Sequence, residues 1–205
     1  NMEIKQKVIK ELETVCHEDF IFASNTSSLP LTEMSKAAKK PENVIGMHYF
    51  SPVPKMPLVE IIKTDQTSEE TLATCYEIGK RQGKTCIVVN DMPGFYVNRI
   101  LCPYLIEGLL MIEEGVRIED IDGALTSLGM PIGPITLLDE VGIDVGAHVM
   151  SGNMAQLLKG REGFKINYSM PKMFEAGLHG RKAKKGFYNY AMKKGRLRKT
   201  SPNQD

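Results

Sequence analysis

His48 and Glu60 are the residues best suited to acid–base chemistry in this sequence, and they lie in the segments VIGMHYF and LVEIIK. His48 is near the carboxyl end of a predicted strand, the edge where ligands bind in open α/β sheets. An imidazole can accept the proton of a substrate hydroxyl while a hydride leaves the same carbon, and a carboxylate beside it would orient the ring. The structural alternative is a hydrogen-bonded core histidine and a Glu60 that faces water.

Polar groups also follow two other predicted elements. The segment SNTSSL leaves a predicted strand, and its amide and hydroxyls, Asn25 and Ser27 among them, can meet a substrate or ribose oxygen. Asn98 lies four residues after Gly94, at the start of a long apolar helix. Each feature also has a structural interpretation, as a turn or helix cap for SNTSSL and as a first-turn residue for Asn98. Spacing alone leaves both alternatives open.

Hydrophobic periodicity predicts the elements that must position these residues. In the first part of the chain it predicts helices and strands in alternation: a helix at 3–18, a strand at 20–23, a helix at 29–39, strands at 44–50 and 58–62, a helix that stops near Gly83, and a strand at 85–89. After Asp91 it predicts helices at 95–114, 118–128, 135–150 and 171–176, and a last strand at 187–190.

This order of elements predicts an α/β fold followed by an all-α part, with a boundary near Asp91. The predicted domains are 1–91 and 92–191. The remainder, 192–205, is polar and is predicted to be an irregular tail.

Composition limits the class of partner. The 205 residues carry 26 Lys and Arg against 25 Asp and Glu, a formal net charge of +1, so no overall charge favours nucleic acid or a membrane surface. The four cysteines are scattered without a CxxC pair, so we expect neither a metal site nor a disulfide framework. Polar residues interrupt the longest apolar stretch, 95–112, which argues against a transmembrane segment. A small-molecule partner fits best.

Five segments in order resemble the 3-hydroxyacyl-CoA dehydrogenase family: FASNTSSL, GMHYFSPVPKMPLVEII, NDMPGFYVNRIL, GMPIGPITLLDEVGIDV and GRKAKKGFYNY. Together they extend over nearly the whole chain. The segments HYFSPV and MPLVEII are most similar to the dehydrogenase region of multifunctional fatty-acid oxidation enzymes, such as the α subunit of the mitochondrial trifunctional protein. The resemblance therefore implies a mitochondrial location, a Rossmann-type domain and a helical C-terminal domain.

The resemblance also implies a reaction, the NAD-dependent oxidation of an (S)-3-hydroxyacyl-CoA to a 3-ketoacyl-CoA in fatty-acid β-oxidation. Within it His48 would be the general base and Glu60 its partner, and Ser27 and Asn98 would bind the reacting oxygen. Lys5, Asn25 and Ser27 match positions near the NAD cofactor. A homodimer, or contact with other domains of a multifunctional complex, is the implied assembly.

One part of the family pattern is missing from the sequence. Family members begin with a strand and a GxGxxG turn that binds the dinucleotide pyrophosphate at a helix amino terminus, and residues 1–205 contain no such pattern. We therefore expect 1–91 to be the carboxyl-side part of the NAD-binding domain. Two alternatives remain: a catalytically silent structural piece of a multifunctional enzyme, and a related β-hydroxyacid dehydrogenase that uses a lysine.

Overall fold

The chain divides into two compact units, Asn1–Arg99 and Ile100–Asp205. The structure is a computed structural model that describes residues 1–151 and 169–203. Residues 152–168 of the predicted helical part and the last two residues of the predicted tail lie outside this range. Each unit contains its own cluster of buried apolar side chains.

The first unit is built on a four-stranded mixed sheet. In spatial order its strands are β1 (Phe22–Ser24), β2 (Val44–Tyr49), β3 (Leu58–Lys63) and β4 (Thr85–Asn90). β1 and β2 are parallel, β3 and β4 are parallel, and β2 and β3 are antiparallel. The antiparallel register places His48 directly opposite Glu60. Because paired residues in adjacent strands point to the same side of a sheet, both side chains lie on one face.

Three α-helices accompany this sheet: α1 (Met2–Val15), α2 (Leu31–Ser35) and α3 (Glu69–Arg81). A short 3-10 helix, Pro41–Asn43, leads into β2. The apolar residues of alternate strand positions belong to different clusters, as the two-residue period of a strand requires. The cluster with α1 and α2 contains Ile9, Leu31, Met34, Ile62 and Phe95. The cluster with α3 contains Ile45, Met47, Val59, Ile61 and Cys75.

Helices dominate the second unit, which confirms the predicted α/β-then-helical fold class. Within the described residues they are α4 (Val97–Glu113), which begins within the first unit, α5 (Ile118–Ser127), α6 (Pro134–Val141), α7 (Ile143–Ser151) and α8 (Ser169–Glu175), with a 3-10 helix at Arg181–Ala183. The single helix predicted at 135–150 is wrong, because Gly142 adopts φ 105 and separates α6 from α7. In residues 1–151 and 169–203, no helix is long and apolar enough to cross a membrane.

The predicted irregular tail is also wrong. β5 (Tyr188–Lys193) and β6 (Arg196–Pro202) pair as an antiparallel hairpin. The two residues between them, Lys194 and Gly195, have φ values of 50 and 71, and positive φ at both positions is the condition for a tight hairpin turn. Leu197 packs against the core of the second unit. This polar segment therefore forms regular structure, because its backbone pairs with β5 and Leu197 packs against the core.

Candidate active site

His48 and Glu60 form a buried hydrogen-bonded pair. His48 Nδ1 lies 2.6 Å from Glu60 Oε2, His48 is 4% exposed, and Glu60 is fully buried. The short distance follows from the register, since the two residues face each other across β2 and β3. This arrangement rules out the structural alternative in which Glu60 faces water.

The second oxygen of Glu60 is bound as well. Glu60 Oε1 accepts hydrogen bonds from the backbone N–H groups of Tyr96, at 3.0 Å, and Val97, at 2.9 Å. An ionised carboxylate has no proton to donate, so the proton of the bond to His48 belongs to Nδ1. In the neutral imidazole Nε2 is then a proton acceptor.

Ser27 contacts that acceptor nitrogen. Its Oγ lies 3.0 Å from His48 Nε2, and Ser27 itself is exposed. The neighbouring Thr26 supplies the turn, because its Oγ1 accepts the N–H of Leu29 at 3.0 Å. The structural interpretation of SNTSSL as a turn is therefore correct for Thr26, and the contact of Ser27 with a substrate or ribose oxygen stays a prediction.

Asn98 and Asn25 join the same group of residues from two directions. Asn98 Nδ2 donates to the backbone carbonyl of Ser27 at 3.4 Å, and Asn25 Oδ1 accepts the N–H of Tyr49 at 3.0 Å. Hydrogen bonds thus join four of the six predicted site residues, and the fifth, Asn25, binds the residue next to His48. The sixth, Lys5, is half-buried in α1, and no hydrogen bond in the described ranges joins its side chain to the others.

Two aromatic rings enclose His48 and were missed by the sequence analysis. The ring centroid of Phe50 is 4.6 Å from that of His48, and that of Phe95 is 5.7 Å away. Phe50 is two residues beyond His48 in the chain, so the period of two was a usable signal. Phe95 is distant in sequence, and only the fold brings it to the imidazole.

A second buried carboxylate, Asp139, lies in the second unit and was also missed. Its Oδ1 accepts the N–H of Phe187, and its Oδ2 accepts the N–H of Tyr188, both at 2.9 Å. The Tyr190 hydroxyl donates to Oδ2 at 3.0 Å. A Cβ on Gly186 would collide with this carboxylate, so only glycine permits the approach. Asp139 therefore joins the GMPIGPITLLDEVG and GRKAKKGFYNY segments.

Burial disfavours the charged form of Asp139, and its hydrogen bonds offset this effect only in part. Burial raises the pKa of Asp139, and the N–H groups of Tyr188 and Phe187 oppose that shift. Burial and the nearby Asp139 carboxylate also raise the pKa of Tyr190, so this hydroxyl remains a donor. The three partners of Asp139 are held by the core, and a structural role fits them.

Asp122 is a further structural carboxylate of the second unit. It accepts the N–H of Ile135 at 2.9 Å and the N–H of Thr136 at 3.1 Å, the first-turn donors of α6. The Tyr188 hydroxyl donates to it at 2.9 Å. A carboxylate at a helix amino terminus satisfies N–H groups that have no partner inside the helix.

Comparison with known families agrees with this fold. Residues 1–92 match the family model "3-hydroxyacyl-CoA dehydrogenase, NAD binding domain", and residues 94–190 match "3-hydroxyacyl-CoA dehydrogenase, C-terminal domain". The chain therefore belongs to the 3-hydroxyacyl-CoA dehydrogenase family. The predicted family and its cofactor, NAD, are confirmed at this level.

Two solved structures show the same fold over most of their length. FadB2 of M. tuberculosis is 36% identical with a TM-score of 0.87, and the match covers 93% of this chain and 68% of that one. The (S)-3-hydroxybutyryl-CoA dehydrogenase PaaH1 of Ralstonia eutropha is 37% identical with a TM-score of 0.86, covering 94% and 68%.

Curated relatives are much longer. The fatty acid oxidation complex subunit alpha of Shewanella sp. (strain MR-7) is 51% identical over 191 residues, which are 93% of this chain and 26% of that protein. The subunit of the same name from Vibrio parahaemolyticus is 47% identical over 197 residues, 95% of this chain and 27% of that protein. The chain thus spans about a quarter of these relatives. They are bacterial, so the predicted mitochondrial location is wrong.

Proposed function

We propose that this chain carries the acid–base and substrate-binding residues of an NAD-dependent (S)-3-hydroxyacyl-CoA dehydrogenase. The observation that supports this proposal best is the continuous series of contacts from Ser27 Oγ to His48 Nε2, at 3.0 Å, and from His48 Nδ1 to Glu60, at 2.6 Å. It presents a basic nitrogen beside an exposed hydroxyl, at the carboxyl ends of β1 and β2.

In the proposed reaction His48 Nε2 takes the proton of the substrate's 3-hydroxyl group. The C–H bond at the same carbon breaks and its electron pair leaves as hydride, so a carbonyl forms and the substrate loses two electrons. The chemistry that NAD would supply when bound is the acceptance of this hydride. Glu60 keeps the Nδ1 proton in place and stabilises the positive charge that His48 acquires.

Ser27 and Asn98 would hold the oxygen as its bonding changes. Ser27 Oγ already occupies hydrogen-bonding distance from Nε2, so a hydroxyl that bridges Nε2 and Ser27 Oγ fits the geometry. Asn98 reaches the same loop through the Ser27 carbonyl. Donors fixed on the loop after β1 and the first turn of α4 need little rearrangement when the carbonyl forms.

The described residues fit only one end of the cofactor. Asn25 and Ser27 are exposed polar residues at the carboxyl end of β1, where a nicotinamide ring and its ribose would be held. A pyrophosphate site requires a glycine-rich turn of the GxGxxG kind, and residues 1–205 contain none. The nearness of Lys5 to the cofactor stays a prediction.

The proposed assembly follows from the relatives rather than from a contact in the structure. The curated relatives are named as subunits of fatty acid oxidation complexes. By extension, the proposed assembly of this chain is either a larger multifunctional chain, of which it forms part, or a homodimer. Light scattering of the purified chain, at several concentrations, would distinguish a monomer from a dimer.

The deciding experiment follows NADH absorbance with a 3-ketoacyl-CoA substrate. It compares this chain with a version extended upstream by a glycine-rich dinucleotide-binding half-domain, each with a His48→Gln control. We expect the extended protein to turn over and His48→Gln to lower kcat by about 100- to 10,000-fold. An inactive extended protein would favour the structural-piece alternative, and an active His48→Gln variant would favour a lysine-based mechanism.

A further inference from the structure

The segment that leads from β4 into the first turn of α4, residues 91–98, is tied to the rest of the first unit at several points. The first tie is Asp91, whose Oδ2 accepts both the backbone N–H and the Oγ1 hydroxyl of Thr32 at 2.7 Å. Thr32 lies in the first turn of α2. Asp91 thereby holds the beginning of this segment against the helix that follows the SNTSSL loop.

The second tie depends on an unusual backbone conformation. Gly94 and Phe95 have consecutive positive φ values, 74 and 51. Non-glycine residues rarely adopt this left-handed region, and a bulky side chain there is an outlier with a structural cause. Its consequence is that the next two N–H groups, of Tyr96 and Val97, both meet Glu60 Oε1.

The third tie is made by side chains. Asn98 Nδ2 donates to the Ser27 carbonyl, and the ring of Phe95 packs beside the imidazole of His48. Phe95 is buried, and its ring belongs to the cluster that includes Leu31 and Ile62. One carboxylate, Glu60, therefore contacts both His48 and the turn that leads to Asn98.

We propose that the Gly94–Phe95 turn is a positioning element that sets Asn98 relative to His48, with Glu60 as the shared anchor. This inference rests on the proposed dehydrogenase reaction. The turn contacts no reacting atom itself. It acts by fixing two N–H groups on Glu60, so a displacement of the turn would move the imidazole and the Asn98 amide relative to each other.

The test uses Gly94→Ala, which places a Cβ on a left-handed residue, in the extended dehydrogenase. Gly83→Ala is the matched control, because Gly83 has the same φ of 74 and an added Cβ there meets nothing within 4 Å. We expect Gly94→Ala to lower kcat by about 10- to 100-fold, since small misplacements of reacting groups carry losses of that order. The kcat of Gly83→Ala should stay close to that of the unchanged protein.

A double-mutant cycle with Asn98→Ala separates positioning from a general loss of stability. If the turn acts through Asn98, then Gly94→Ala adds little once Asn98 is gone, whereas Gly83→Ala combines additively with Asn98→Ala. Gly94→Asn provides a milder second variant if the alanine protein does not fold, because asparagine tolerates positive φ best among non-glycine residues. The expected order of kcat is unchanged protein, Gly94→Asn, Gly94→Ala.

Amide hydrogen exchange in the 205-residue chain supplies a readout that needs no activity. The N–H groups of Tyr96 and Val97 should exchange faster in Gly94→Ala and keep their protection in Gly83→Ala. If the extended protein is inactive but exchange behaves as expected, the proposed function fails while the anchoring by the turn stands. If Gly94→Ala retains full kcat, or its effect adds to that of Asn98→Ala, the positioning inference is wrong.

Discussion

Glu60 in the first unit and Asp139 in the second are buried carboxylates with similar anchors. Each accepts two successive backbone N–H groups at 2.9 to 3.0 Å: Tyr96 and Val97 for Glu60, Phe187 and Tyr188 for Asp139. In both cases the N–H groups belong to a segment far away in sequence. A buried carboxylate therefore serves, in each unit, to join two parts of the chain.

The difference lies in the remaining partner of each carboxylate. For Glu60 it is the imidazole of His48, a group that can both accept and release a proton and that contacts the exposed Ser27. For Asp139 it is the buried Tyr190 hydroxyl, whose raised pKa keeps its proton in place. In the proposed reaction the same anchoring would support proton transfer in the first unit, whereas in the second unit it joins parts of the core.

We expect the largest effect on activity when Glu60 is replaced by glutamine, a change that separates the proposed role in proton transfer from the structural role. In Glu60→Gln the amide oxygen still accepts the Tyr96 and Val97 N–H groups, but the NH₂ group faces His48 Nδ1. The ring proton then moves to Nε2, which can no longer take the substrate proton. We expect kcat of the extended protein to fall at least about 100-fold, measured from NADH absorbance.

The control for that variant is Glu42→Gln, at an exposed position of the same unit. It should leave kcat unchanged. A Glu60→Gln protein with nearly full activity would show that Glu60, like Asp139, has only a structural role.

The matching change in the second unit, Asp139→Asn, should affect stability instead. The NH₂ group of the amide cannot accept the N–H or hydroxyl groups that surround it, and a buried donor without a partner costs about 1 to 3 kcal/mol. We expect that loss in the unfolding free energy of the second unit from urea denaturation. Activity per folded molecule should be retained.

Asp120→Asn, at an exposed position in the same unit, is the control for this change and should shift the unfolding free energy by less than about 0.5 kcal/mol. The comparison between the two carboxylates fails if Asp139→Asn lowers kcat as strongly as Glu60→Gln does.

A smaller effect concerns pH. Because burial raises the pKa of Asp139 above its ordinary 3.8, the folded protein holds this proton more tightly than the unfolded chain. The resulting stabilisation is complete below the unfolded pKa and is lost as pH rises through the folded pKa. The asparagine side chain of Asp139→Asn does not titrate, so its stability lacks this dependence on pH. The melting temperature of the unchanged protein should therefore exceed that of Asp139→Asn by less and less as pH rises from about 4. A constant or widening gap between pH 4 and 7 would contradict this cause.

Much of the first unit was predictable because its strands and helices have clear periodicity. The predicted strands at 44–50 and 58–62 correspond to Val44–Tyr49 and Leu58–Lys63. Their strand positions and residue types also selected His48 and Glu60 as candidates. Sequence periodicity was enough to find these strands and candidates, because buried strands consist mainly of apolar residues. A charged or titratable residue within such a strand is therefore easy to recognise.

The misses share a different cause. Gly142 interrupts a helical pattern, and the Lys194–Gly195 turn creates a hairpin in a polar segment. Both features depend on one or two residues with positive φ. Periodicity averages over many residues and is insensitive to one backbone angle. Phe95 and Asp139 were missed because each acts on a partner many positions away, at His48 and at Phe187.

The sequence by itself determined the order of the elements in the first unit, the family, and the residue types able to move a proton. Only the tertiary structure decided that Glu60 is shared between His48 and the amino terminus of α4, and that Asn98 reaches the Ser27 loop. The physical reason is that periodicity and residue type act along the chain. Hydrogen bonds between distant segments depend on register and on backbone angles, which are fixed only when those segments pack together.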